Sequence, residues 1–142
     1  MNNEIEVIRQ KLSEGGYTCV VSLDGREYTS FERGVKPLIQ LLESEQSFAG
    51  AIAADKTVGA GAAHLYVLLG VRALWANVVS ASAVDVLKKN GIETFYGECV
   101  PYIINRRGDG VCPIETAVKD AKGSDEAYTL IKETLKELAK KQ

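Results

Sequence analysis

Cysteine is scarce in this chain of 142 residues: Cys19, Cys99 and Cys112 are the only three. They are odd in number and widely spaced, which excludes a disulfide framework and points to a reducing cytoplasm. Histidine is scarcer still, with His64 alone. Cys99 and Cys112 stand too far apart for the usual close ligand pairs, so neither a metal nor another cofactor is expected. No apolar run is long enough to span a bilayer; the longest, 60–71, is broken by His64 and reads as a buried helix. Residues 1–11 carry Glu4, Glu6 and Arg9 and lack the basic start and apolar stretch of a secretory signal. Lysines and arginines form no run interleaved with aromatics, and the net charge is −2. Binding to a nucleic-acid backbone is therefore not expected. There is no internal repeat, low-complexity tract or linker. The chain reads as one domain over 1–142, with a core at about 17–122 and a last helix at about 124–140.

What is present is an ordinary globular balance, 46% apolar and 25% charged. Asn3 followed by Glu6 resembles a capping box, and Ile5, Ile8 and Leu12 share one helical face before Gly15-Gly16 ends the helix. Two strand-like runs, 18–23 and 27–29, flank Asp24-Gly25, a strong hairpin signal. Val35, Leu38, Ile39 and Leu42 mark a second amphipathic helix, with Pro37 in its first turn. Strand and helix then alternate: strands at 48–54, 72–79 and 92–96, helices at 59–69 and 82–89. An extended apolar segment follows at 100–105, then a turn at 107–110, a short helix from Pro113 and a charged helix over 125–140. This order predicts an α/β fold of three layers, α-β-α, with a mixed sheet between helices.

Three segments carry candidate chemistry. The first, Asp55-Lys56-Thr57-Val58-Gly59-Ala60-Gly61, is placed where a strand turns into a helix. Small residues there allow close approach, and free N–H groups at a helix start favour anions. No Gly-Lys-Ser/Thr follows, so this is not a phosphate-binding Walker loop. Tight helix–sheet packing is the other reading of Gly59 and Gly61. The second segment runs from Asn105-Arg106 to Cys112-Pro113-Ile114-Glu115. Pro113 suits the first helical position, which puts Cys112 at the N-cap and Glu115 at the third position. A thiol there, near Arg106 or Arg107, is a candidate nucleophile or redox-sensitive group; a small half-buried residue is the alternative. The third, 80–85, reads as a helix cap made by Ser82 with Asp85. His64 reads as a hydrogen-bonded core histidine, and Arg107-Gly108-Asp109 as a turn.

These segments carry a resemblance. Asp55-Lys56-Thr57-Val58-Gly59, the small-residue helix to Leu69, and Val100-Pro101-Tyr102-Ile103-Ile104-Asn105-Arg106 with Cys112-Pro113-Ile114-Glu115 look like the prokaryotic family called domain of unknown function (DUF) 1893. The resemblance covers roughly residues 17–122. It implies a cytidine-deaminase-like fold with a five-stranded mixed sheet. In active deaminases a His or Cys followed by Ala-Glu opens one helix and Pro-Cys-x-x-Cys opens the next, together holding zinc and a proton-shuttling glutamate. The matching positions here, 58–63 and 80–85, contain no cysteine and no glutamate, and His64 falls too deep in its helix. The resemblance therefore implies the fold and the pocket location and argues against zinc-dependent deamination.

The function expected on these grounds is binding of a small molecule, anionic and nucleotide- or nucleoside-like, by Asp55, Lys56, Thr57, Gly59, Gly61, Asn105 and Arg106. Two alternatives stay open: an enzyme or redox-sensitive protein acting through Cys112, and a non-catalytic module that binds another protein, a homodimer included. No membrane partner is expected.

Overall fold

The structure, a computed structural model, describes residues 3–105 and 107–140. Helix α1 (Asn3–Gly15) leads into a hairpin of β1 (Cys19–Leu23) and β2 (Arg26–Ser30). Its turn is the expected one. Asp24 and Gly25 both take positive φ, 48° and 82°, as a type I′ turn requires. Helix α2 (Lys36–Glu43) follows, then β3 (Ile52–Val58), α3 (Ala60–Leu69), β4 (Ala73–Ser80), α4 (Ala81–Lys89) and β5 (Glu93–Val100). A short α5 (Pro113–Ala117) and a long α6 (Ser124–Lys140) complete the chain.

The five strands form one mixed sheet in the order β2-β1-β3-β4-β5. β1 pairs antiparallel with β2 and β3, and β3, β4 and β5 run parallel. Helix α1 covers one face, where Ile5, Ile8 and Leu12 meet Val20, Ala54, Ala73 and Trp75. Helices α2, α3 and α4 cover the other, where Leu38, Leu65, Tyr66 and Leu87 pack on Val21, Ala53, Leu74 and Val79. This is the three-layer α-β-α architecture with five strands that the element order and the family resemblance both implied. Helices α5 and α6 then lie over α3, so Ala63, Leu65 and Tyr66 are all fully buried. A helix apolar on every side belongs in such a place.

Two strands, β3 and β5, differ from the sequence reading by more than a residue or so. β3 starts four residues later than expected and runs on to Val58, so Asp55, Lys56 and Thr57 belong to the strand and not to a helix start. Residues 48–51 are buried or turn-forming without pairing, held by the Ala51 N–H on the Phe48 carbonyl. β5 continues past Tyr96 to Val100, paired in register with Val78, Val79 and Ser80. Beyond it, 101–105 is not a strand; among the described residues an isolated antiparallel bridge joins Ile104 to Val111. At α4 the cap also moves. The Ser80 hydroxyl, not Ser82, accepts the Ala83 N–H at 3.2 Å.

Candidate functional site

Strand-to-helix junctions of parallel strands present helix N-termini along one edge of a sheet, and β3–α3 and β4–α4 do so side by side here. Each start carries backbone N–H groups without intrahelical partners and roughly half a positive charge. Glu115 answers both. Its Oε1 accepts the Ala60 N–H at 3.3 Å and the Ser82 hydroxyl at 3.0 Å, and its Oε2 accepts the Ile103 N–H at 2.6 Å. Glu115 is 7% exposed. Its reach has a local cause. As third residue of α5 it would ordinarily fold back on the N–H of the cap residue. That N–H, on Cys112, instead donates to the Ile103 carbonyl at 2.8 Å, which leaves the carboxylate free to cross to α3 and α4.

Above this carboxylate lies a cleft of about 680 Å³, bounded by α3, α4, the segment after β5, α5 and the start of α6. Helix α4 turns Ser82, Val86, Lys89 and Asn90 towards it, spaced as one helical face. Helix α3 contributes Ala60 and His64, four residues apart. His64 Nδ1 lies 2.9 Å from the Ser124 hydroxyl, and burial lowers the histidine's pKa, which favours the neutral ring. This pin ties α3 to α6. Tyr102, Val111 and Val118 supply apolar wall, and Lys119 and Lys122 join Lys89 at the rim. Among the described residues none of these three lysines forms an ion pair.

The residues singled out from the sequence do not all converge here. Asp55 faces α3 from within β3, where its Oδ2 accepts the Tyr66 hydroxyl at 2.6 Å and its Oδ1 the Thr57 N–H at 3.1 Å. The Tyr66 oxygen is also 3.3 Å from the Cys19 sulfur, and Cys19 sits opposite Asp55 in the β1–β3 ladder. Burial raises the Asp55 carboxyl to about 7 and pushes the Cys19 thiol and Tyr66 hydroxyl up as well. Lys56 and Thr57 are exposed on β3, outside the lining of the cleft. Gly59 caps α3, and a Cβ there would meet Ile103 Cγ1 at 3.1 Å. At Gly61 a Cβ would lie 2.4 Å from Ile114 Cγ2, so only glycine lets α5 approach α3 this closely. Both glycines thus serve the packing that delivers Glu115. Asn105 shapes its own loop, donating from Nδ2 to Asp109 and accepting the Asp109 N–H. Arg106 lies outside the described residues.

Cys112 is the N-cap of α5, as expected, half-buried against the core and without a side-chain capping bond. Cys99 is exposed on β5 and Cys19 is 3% exposed. Iodoacetamide at neutral pH is therefore expected to label Cys99 first, Cys112 more slowly and Cys19 last, read by peptide mass spectrometry. Fastest labelling at Cys112 would instead reveal an activated thiol.

The zinc ligands of a deaminase have no counterpart at the starts of α3 and α4. Gly59, Ala60, Ser80, Ala81 and Ser82 stand there, and Glu115 alone offers an anionic donor, already hydrogen-bonded three times. This donor set does not fit zinc, which takes three or four protein ligands drawn from cysteine sulfur, histidine nitrogen and carboxylate oxygen. Among the described residues no other cluster of His, Cys, Asp and Glu has metal-ligating geometry. No helix among them is long and apolar enough to cross a membrane.

The sequence reading passed over Lys89, Lys119, Lys122 and Ser124, and it took Ser82 for a cap. The spacing of Ser82, Val86 and Lys89 is the one signal that puts part of this set on a common face; the rest is assembled by tertiary packing.

The family described as Domain of unknown function (DUF1893) matches residues 7–135. Among solved structures, a DUF1893 family protein from Thermotoga maritima is similar over 96% of this chain and 92% of its own, with a TM-score of 0.83 and 20% identity. At that identity the likeness is one of fold. Two crystal structures of dCMP deaminase from the cyanophage S-TIM5, one apo and one with dCMP and dUMP, align with 68% of this chain. They cover 99% and 98% of the deaminase, at TM-scores of 0.49 and identities of 16% and 14%. No curated protein matches this chain.

Proposed function

This chain belongs to the DUF1893 family, and we propose that it binds a small anionic organic molecule, phosphate-bearing and of nucleotide size, in the cleft between α3, α4, α5 and the start of α6. The observation that carries the reading is the charge of the lining. Lys89, Lys119 and Lys122 border the cleft, and Glu115 is its only acidic lining residue among those described, in a chain whose net charge is −2. A protein that is weakly acidic as a whole gathers three lysines without ion pairs, among the described residues, around a cleft with room for a ligand. The volume of about 680 Å³ falls inside the roughly 300–1,000 Å³ of small-molecule sites. Apolar wall from Val86, Val118 and Tyr102 suits the less polar body of such a ligand. Three free cysteines support a reducing compartment, and we place the protein in the cytoplasm.

Titration calorimetry with nucleoside monophosphates and sugar phosphates tests the proposal. At least one is expected to bind, and the double variant Lys119→Ala/Lys122→Ala is expected to weaken it by about tenfold or more, or ~1.4 kcal/mol. Added salt should weaken it too. Lys88→Ala, an exposed change on α4 outside the cleft lining, is the control and should leave the dissociation constant unchanged. Equal affinity in the double variant would refute the assignment of the rim.

A further inference from the structure

We infer that the cleft is bipolar, so that its ligand joins an anionic group at the lysine rim to a hydrogen-bond-donating nitrogen, an amine or amide, at the Glu115 floor. This rests on the anionic-ligand reading above and fixes which way round the ligand sits. A pair of adjacent helix starts is ordinarily the place for a phosphate. Here α3 and α4 together present about one positive charge, half from each, and the Glu115 carboxylate already supplies one negative charge to them. The anion's place is held by the protein itself. A second anion brought to the same point would meet a carboxylate that burial shields poorly from it, with Ala60 N–H, Ile103 N–H and the Ser82 proton already donated.

What the floor has left is acceptor capacity. A carboxylate offers about four lone-pair sites, and three are used here. The Ser82 oxygen, 3.2 Å from Ser80 Oγ, adds a hydroxyl that also accepts. Both Ser82 and Glu115 line the cleft. The rim has the opposite character, since Lys89, Lys119 and Lys122 only donate. Lys89 lies seven residues along α4 from Ser82, two turns or roughly 10 Å at 1.5 Å per residue. The two poles are thus separated by about the length of a phosphorylated sugar or nucleoside, with apolar Val86 between them on the same helix face.

The experiment uses the full-length protein and matched pairs of phosphomonoesters that differ by one amino group: glucosamine 6-phosphate against glucose 6-phosphate, and AMP against purine riboside 5′-monophosphate. The nitrogen-donor member of a pair that binds should be preferred by about tenfold. Glu115→Gln, checked by circular dichroism for retained fold, should erase that preference. Lys119→Ala/Lys122→Ala should weaken both members by the same factor and leave the preference intact, which keeps the test open if the Glu115 variant does not fold. Equal binding of the two members, or preference for the one without the nitrogen, overturns the bipolar assignment while leaving the anionic cleft standing. Absence of binding by every phosphomonoester overturns the anionic cleft and this inference with it.

Discussion

Glu115→Ala is expected to lower the free energy of unfolding by about 3–5 kcal/mol, the usual cost of removing one partner from a buried, charged hydrogen-bond cluster. The carboxylate is the single atom group that α3, α4, α5 and the segment after β5 share. Its loss leaves the Ala60 and Ile103 N–H groups without their acceptor and exposes two helix starts to one another without a counter-charge. Against a typical domain stability of roughly 5–15 kcal/mol, this approaches the threshold of folding. Glu115→Gln should cost less, since one oxygen remains to accept, although its amide turns a donor towards a group that also donates. Urea unfolding followed by the fluorescence of Trp75, the only tryptophan and 8% exposed, measures both. A loss below about 1 kcal/mol in the alanine variant would show that the helix starts do not depend on this side chain.

The second large effect is a pH dependence written into the core by Asp55. Burial penalises the charged form more than the bonds from Tyr66 and Thr57 favour it, which raises the carboxyl to about 7 in the folded protein from the ordinary 3.8. Between those two values the folded state holds a proton that the unfolded chain has released. Stability therefore falls as pH rises from about 4 to about 7 and levels off above that. Across the whole window the loss is on the order of 4 kcal/mol at ~1.36 kcal/mol per pKa unit. Asp55→Asn cannot ionise and should remove this slope. The gap between wild type and variant, compared at pH 5 and pH 8, should change by roughly 2–3 kcal/mol in the variant's favour. Tyr66→Phe deletes the donor that favours the charged form, so the loss should extend to higher pH. Identical pH slopes in wild type and Asp55→Asn would contradict the placement of this carboxyl in the core.

How far the sequence foretold this can be judged at particular residues. Asp24-Gly25 was legible because only a few residue types tolerate positive φ at both turn positions. Helix α3 was legible from its small and apolar residues, and α5 from Pro113. The start of β3 was not. A run of buried apolar residues from Phe48 looks the same whether it pairs or merely packs, and the strand in fact includes polar Asp55, Lys56 and Thr57. Those residues stay in the strand because β4 supplies partners for Asp55 and Thr57 at Ala76 and Val78. β5 ran past its expected end for a related reason. It is an edge strand and largely exposed from Tyr96 to Cys99, so its burial pattern carries little signal.

At the site, the Cys-Pro-Ile-Glu run placed Glu115 at the third position of a helix, but its partners lie 12, 33 and 55 residues away in sequence. No local pattern encodes which N–H groups a carboxylate reaches once packing has placed them. The lysines illustrate the same limit. Lys89, Lys119 and Lys122 read as ordinary solvated charges until α4, α5 and α6 are assembled around one cleft. The glycines left two readings open in the sequence, an anion-favouring helix start and tight packing, and in the structure Gly59 and Gly61 make room for Ile103 and Ile114.

Native mass spectrometry of the gently purified protein, in wild type and in Lys119→Ala/Lys122→Ala, reads whether the lysine rim holds an anionic small molecule. An adduct of nucleotide or sugar-phosphate mass is expected, either carried through purification or formed on adding phosphomonoesters. It should be lost on denaturation and strongly depleted in the double variant. A bare native mass in the presence of every phosphomonoester tried, or an adduct equally abundant in the double variant, would contradict binding at the lysine rim.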